Sequence, residues 1–185
     1  VALDVVQKRA KLPVTGVITP GAEAAIRVTK NKRIGIIGTA ATINSNAYVN
    51  ELARLDSSAL TFGQACPLFV PLVEEGFVDS EIARLTVQHY LYSLVNIGID
   101  CLILGCTHYP LLMEAIQDTV GTRIQLIDSA LWTAKEAQDI LVALNAMSPE
   151  QDGGFGYSKF YLTDVTSKRT LICVSNFFKL FKKIQ

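Results

Sequence analysis

Short runs of Val, Ile and Leu alternate along this chain with longer segments of helical periodicity. Two of these runs, Arg33–Gly38 and Asp100–Gly105, are apolar at most positions, so they predict strands buried on both faces. Strands of that kind occur in parallel sheets whose two faces are covered by helices. The alternation therefore predicts an α/β fold built on a parallel sheet.

The same patterns predict the remaining elements. Ser80–Asn96 is a predicted amphipathic helix, with Ser80 suited to cap its start and Gly98 to end it. Pro110–Val120 predicts a helix with proline in its first turn. The other predicted strands are Leu12–Ile18, Leu60–Cys66, Arg123–Ile127 and Phe160–Thr163, and the other predicted helices are Glu23–Val28, Ser45–Leu55, Ser129–Asn145 and Ser167–Ile184.

The composition narrows the functional classes that fit the chain. Half of its 185 residues are hydrophobic and 18% are charged, which is typical of a soluble globular protein with a substantial core. Lys+Arg and Asp+Glu number 17 each, so the charge balance gives no indication of a nucleic-acid or membrane partner. The four cysteines lack the paired spacing of a zinc site, so no metal is predicted, and their low number favours a reduced, cytoplasmic protein.

The end of the second buried strand concentrates reactive side chains. Cys106, Thr107 and His108 follow Gly105 directly. Ligands of open parallel sheets bind beyond the carboxyl ends of the strands, and free N–H groups at a helix start can hold a carboxylate and lower the pKa of a thiol. A cysteine at a strand end is most often a small core residue, but this cluster favours Cys106 as a nucleophile or an acid/base.

The first buried strand ends in a comparable way. Thr39 and Thr42 follow it, and their hydroxyls are suited either to an anionic ligand or to capping a helix. Gly35 and Gly38 have the spacing G-x-x-G rather than G-x-G-x-x-G, so we reject NAD binding.

Two adjacent carboxylates, Glu74 and Glu75, lie between an apolar stretch and a glycine. Paired acids in such a place are usually solvated. The alternative is that one of them orients or charges His108. The residues alone leave both interpretations open.

Gly105–Leu112, which reads Gly-Cys-Thr-His-Tyr-Pro-Leu-Leu, resembles the second-half signature of glutamate racemases in the Asp/Glu racemase family. The resemblance spans about Val1–Leu144, and further segments match in the same order: Pro13–Gly21, Ile36–Thr42, Ser45–Tyr48, Cys66–Gly76 and Leu126–Ala130. It implies two pseudo-symmetric parallel-sheet α/β domains. Residues 17–127 would form the second domain, and residues 1–16 and 128–185 would be a remnant of the first.

The resemblance also implies a reaction, the interconversion of L- and D-glutamate without cofactor or metal. In this family one thiolate removes the α-proton and a second thiol returns a proton from the opposite face. The positions that match are Cys106 as the acid/base on the L-glutamate face, Thr107 and His108 as substrate-contact and proton-assisting residues, Glu74 as the acid that supports the histidine, and Thr39 and Thr42 as hydroxyls that hold the substrate carboxylate.

One departure from the family limits this expectation. The Tyr-Gly and Cys-Asn-Thr motifs of the family's first half do not occur in this sequence. We therefore expect a first domain that is largely missing, no partner cysteine, and no racemase activity of this chain by itself. We also expect apolar surface to be exposed on residues 1–16 and 129–185.

The resemblance further implies a bacterial enzyme that supplies D-glutamate for peptidoglycan and has a small-molecule substrate. It is also compatible with a homodimer. Two alternatives stay open from the sequence. One is a racemase for aspartate or a related amino acid, and the other is a non-catalytic binding module.

Overall fold

A computed structural model describes residues 3–147 of the chain. Its centre is a sheet of four strands: β1 (Arg33–Gly38), β2 (Leu60–Ala65), β3 (Cys101–Leu104) and β4 (Gln125–Asp128). The strand order is β2-β1-β3-β4, and every neighbouring pair is parallel. The predicted α/β fold on a parallel sheet is confirmed.

Helices cover both faces of this sheet. Within the described residues they are α1 (Leu3–Arg9), α2 (Ile18–Val28), α3 (Ala40–Asn44), α4 (Ala47–Leu55), α5 (Phe69–Glu74), α6 (Glu81–Ile97), α7 (Met113–Val120) and α8 (Ser129–Ala143), together with a 3-10 helix at Tyr109–Leu112. None of these helices combines the length and the apolarity that crossing a bilayer requires.

Two apolar clusters form because side chains on a strand alternate between its faces. Ile37, Leu102 and Leu104 belong to the cluster under α5, α6, α7 and the 3-10 helix. Ile36 and Ile103 belong to the cluster under α2 and α4. The consecutive apolar residues of β1 and β3 therefore serve two cores, which explains their lack of polar alternation.

Local chemistry sets the ends of α6 as the sequence predicts. The Ser80 hydroxyl accepts a hydrogen bond from the Ala83 backbone N–H at 3.1 Å. Gly98 ends the helix in the left-handed conformation, with φ of 81°, which glycine adopts without steric cost. Both predicted caps are confirmed.

Three predicted elements differ from the structure. The helix predicted at Glu23–Val28 begins earlier, at Ile18. The strand predicted at Leu12–Ile18 is wrong, because this segment has no regular structure before α2 begins at Ile18. Pro20 lies in the first turn of α2, where a missing N–H costs nothing. The helix predicted at Pro110–Val120 begins instead as a 3-10 turn, and its α-helical part starts at Met113. The elements predicted at Phe160–Thr163 and Ser167–Ile184 lie outside the described residues.

Candidate active site

The parallel pairing of β1 and β3 brings their two exits together. Ile37 is in register with Leu104, and the Gly105 N–H donates to the Ile37 carbonyl at 2.8 Å. A Cβ atom at Gly105 would lie 2.8 Å from that carbonyl oxygen and 3.1 Å from the Tyr48 ring. Only glycine fits so close an approach, and the next residue, Cys106, is thereby held at the sheet edge beside the exit of β1.

Three of the predicted site residues form a chain of contacts at this edge. The Cys106 Sγ atom lies 4.0 Å from Nδ1 of His108, and Nε2 of His108 lies 3.7 Å from the Glu74 Oε1 atom. A carboxylate beside Nε2 favours a proton on that nitrogen, which leaves Nδ1 as an acceptor facing the thiol. Glu74, the last residue of α5, makes this contact.

The thiol of Cys106 differs from the other two cysteines of residues 3–147. Burial raises the pKa of Cys106, and the backbone N–H groups of His108 and Tyr109 act in the opposite direction by hydrogen-bonding the thiol. Cys66 and Cys101 are fully buried, and burial raises the pKa of each to about 12. Cys106 is half-buried and has a base beside it, so it is the thiol among these that is suited to react.

Thr39 caps a helix, which is one of the two roles that the sequence predicts for it, and Thr42 is its partner. The Thr39 hydroxyl accepts from the Thr42 N–H at 3.2 Å and caps α3, and the two hydroxyl oxygens are 3.1 Å apart. The Thr42 side chain also lies against Gly38 and Gly105. Both threonines are therefore beside the Cys106 segment. Thr107, directly after Cys106, has an exposed side chain.

Sequence reasoning gave no role to two tyrosines beside the site. The Tyr48 and Ser129 hydroxyl oxygens are 2.8 Å apart, and the Tyr109 hydroxyl donates to the Cys66 carbonyl at 3.0 Å. The partners are 81 and 43 residues apart in the chain, so no local pattern indicates either contact. Between residues 3 and 147, no group of three or more His, Cys, Asp or Glu side chains is arranged to hold a metal ion.

Comparison with known proteins identifies relatives of the chain. The Asp/Glu/Hydantoin racemase family model matches residues 1–137. A glutamate racemase of a Sulfurihydrogenibium species is 45% identical over 163 residues, which are 88% of this chain and 59% of that protein. These matches include the whole of the described sheet and the Cys106 site.

Solved structures give the same result. The crystal structure of glutamate racemase isoform RacE1 from Bacillus anthracis superposes with a TM-score of 0.74 and 42% identity, over 78% of this chain and 54% of that one. The glutamate racemase of Francisella tularensis, crystallised with D-glutamate, gives a TM-score of 0.80 and 33% identity, over 94% and 63%. The chain spans less than two thirds of the length of each of these three relatives.

Proposed function

Because this chain belongs to the Asp/Glu/Hydantoin racemase family, we propose that its Cys106 site moves the α-proton of glutamate during racemisation. The observation that carries this proposal is the series of contacts from Cys106 through His108 to Glu74 at the carboxyl edge of the sheet. A thiol, a histidine and a carboxylate in that order form a proton-transfer unit at the place where parallel sheets bind ligands.

The proposed step is a proton transfer between carbon and sulfur. The Cys106 thiolate takes the α-proton of L-glutamate, and the C–H bond breaks. Its electron pair stays on the α-carbon as a planar carbanion that is delocalised onto the substrate carboxylate. In the opposite direction the Cys106 thiol returns a proton to the same face. Hydroxyls of Thr39, Thr42 and Thr107 are proposed to hold the substrate, which fits the position of the first two beside Gly105.

His108 allows the Cys106 thiolate to form. Burial raises the pKa of Cys106, so the resting thiol needs a base before it can accept a proton from carbon. Nδ1 of His108 faces the thiol and can take its proton, and the nearby carboxylate of Glu74 stabilises the resulting imidazolium. The three residues therefore have distinct roles: Cys106 reacts, His108 accepts a proton, and Glu74 stabilises the charge.

Inversion of the α-carbon needs a second acid/base group on the opposite face, and we propose that it comes from outside the described residues. In this proposal residues 17–127 form one domain and residues 1–16 and 128–185 belong to the other. Exposed apolar side chains on α1 and α8, such as Val5 and Val142, support this proposal, because helices that pack against another part of a protein carry such side chains. The 185-residue chain alone is then expected to exchange the α-proton of L-glutamate without racemising it.

The test is an assay of the product of the complete reading frame that contains residues 1–185. It is incubated in D₂O with L-glutamate, D-glutamate or L-aspartate, and deuterium at the α-carbon and the enantiomer ratio are measured. We expect deuterated D-glutamate from L-glutamate and much slower turnover of aspartate. Faster turnover of aspartate would reassign the substrate, and no exchange with any of the three would contradict the proposal.

We also propose the cellular role that this reaction implies, which is the supply of D-glutamate for peptidoglycan in the bacterial cytoplasm. We further propose that the protein forms a homodimer. The similarity to glutamate racemases supports it. Depletion of the protein should stop growth, and added D-glutamate should restore it. Growth that needs no D-glutamate after depletion would contradict this role, and sedimentation as a monomer would contradict the dimer.

A further inference from the structure

Tyr48 and Ser129 form a buried polar pair behind the Cys106 segment. Tyr48 is 3% exposed and Ser129 is 5% exposed, and their hydroxyl oxygens are 2.8 Å apart. Tyr48 lies in α4, and Ser129 is the first residue of α8. The pair therefore connects α4 to the start of α8, the helix that directly follows β4.

Glycines fix the position of the Tyr48 ring. A Cβ atom at Gly105 would lie 3.1 Å from Cε2 of Tyr48, and a Cβ atom at Gly21 would lie 2.6 Å from the Ser129 hydroxyl and 3.5 Å from Cε1 of Tyr48. The ring is thus packed against the residue that precedes Cys106. The Ser129 hydroxyl is packed against α2, which holds it in place for Tyr48.

Charges on Tyr48 and on the site affect one another. Burial raises the pKa of Tyr48, the hydrogen bond with Ser129 lowers it, and negative charge on Asp128 or Cys106 raises it further. The titratable groups around the Cys106 thiol are His108 and Tyr109 from its own loop and Tyr48 from α4, with Glu74 of α5 acting through His108. Tyr48 is the member of this set that is anchored to α8.

We propose that Tyr48 is a positioning residue for Cys106, with its ring supporting the Gly105 peptide and its hydroxyl anchoring that ring to Ser129. The inference deepens the proposed function and rests on Cys106 being the reactive thiol. Loss of the anchor lets the ring move away from Gly105 and lets water reach the thiol. A better-solvated thiol loses its proton at lower pH, because burial is what raises its pKa.

The test measures the reactivity of Cys106 directly and needs no racemase activity. The product of the complete reading frame is alkylated with iodoacetamide across a range of pH, and the Cys106 peptide is followed by mass spectrometry. The variants are Tyr48→Phe, Ser129→Ala and the double variant, and the control is Tyr92→Phe, since Tyr92 is 72% exposed on α6. The melting temperature of every variant is measured alongside.

Each single variant should lower the midpoint of the alkylation profile by about half a pH unit, which speeds alkylation near neutral pH about threefold. The double variant should match the single ones, because both hydroxyls act through one bond. Tyr92→Phe should leave the profile unchanged. Melting temperatures that fall while the Cys106 profile stays at its wild-type midpoint would overturn the inference, as would additive effects in the double variant.

Discussion

The two ends of the same sheet carry polar clusters of very different character. At the amino end, Asp100 precedes β3 and accepts hydrogen bonds from the Thr29 hydroxyl at 2.5 Å and from the backbone N–H groups of Lys30 and Asn31 at 2.6 and 2.8 Å. At the carboxyl end, Cys106 and His108 are 4.0 Å apart, and His108 and Glu74 are 3.7 Å apart.

The difference separates a structural cluster from the candidate active site. Asp100 uses both carboxylate oxygens on the chain's own donors, and it holds the tight turn in which Lys32 has a positive φ of 61°. At the carboxyl end, Cys106, His108 and Glu74 lie farther from one another and are only partly buried, so a ligand can reach them. Distance and exposure therefore distinguish the candidate site at one end of the sheet from the structural cluster at the other.

Replacing Cys106 should give the largest effect and separate the two ends most clearly. Cys106→Ala removes the group proposed to exchange the proton with carbon, so α-proton exchange of L-glutamate should fall by about 10³-fold. Stability should change little, because the side chain is half-buried and small. The rate is measured by deuterium incorporation and the stability by urea unfolding. A Cys106→Ala protein that retains wild-type exchange would remove Cys106 from the mechanism.

The amino-acid sequence predicted what depends on local chemistry. The buried strands β1 and β3 followed from uninterrupted apolar runs, and the ends of α6 followed from Ser80 and Gly98. The segment Leu12–Ile18 was misassigned because its β-branched residues favour a strand locally. Packing of Ala22, Ala24 and Ala25 into the core instead makes the following segment helical.

The location of the candidate site was predictable to the same extent. The strand-end rule predicts Cys106, Thr39 and Thr42 at one edge of the sheet, and in the structure Thr42 contacts Thr39 and lies beside Gly105, the residue before Cys106. The contact between Glu74 and His108 depends on the orientation of α5, which the sequence does not encode locally. The Tyr48–Ser129 contact joins residues 81 apart and is visible only once the fold has formed.

Replacing Asp100 tests the opposite end of the comparison. Asp100→Ala leaves three donors of residues 29–31 without their acceptor, so the free energy of unfolding should fall by about 2 kcal/mol. Urea unfolding measures this loss, and the exposed Asp118→Ala variant serves as the control. Alkylation of Cys106 should be unchanged. An altered rate at Cys106 would show that the two ends are coupled.

Acid should diminish the contribution of Asp100 to the free energy of unfolding. Burial raises the pKa of this carboxyl, but the hydrogen bonds from Thr29, Asn31 and Lys30 together outweigh burial, so the pKa lies below its ordinary value. A carboxyl group with a lowered pKa stabilises the fold at pH values above its pKa in the unfolded state. This stabilisation is lost as the pH falls through its pKa in the folded state. The stability gap between wild type and Asp100→Asn should therefore narrow in acid, and a constant gap would contradict this assignment.

The contact between Glu74 and His108 gives the smallest and most selective test. Glu74→Gln removes the charge proposed to stabilise protonated His108, and a partly exposed ion pair of about 1 kcal/mol corresponds to a loss of about fivefold in the exchange rate. Glu114→Gln makes the same change on an exposed side chain of α7 and should leave the rate unchanged. Because the interaction is electrostatic, high salt should reduce the difference between Glu74→Gln and wild type. Equal effects of Glu74→Gln and Glu114→Gln would mean that overall charge, rather than the contact with His108, governs the rate.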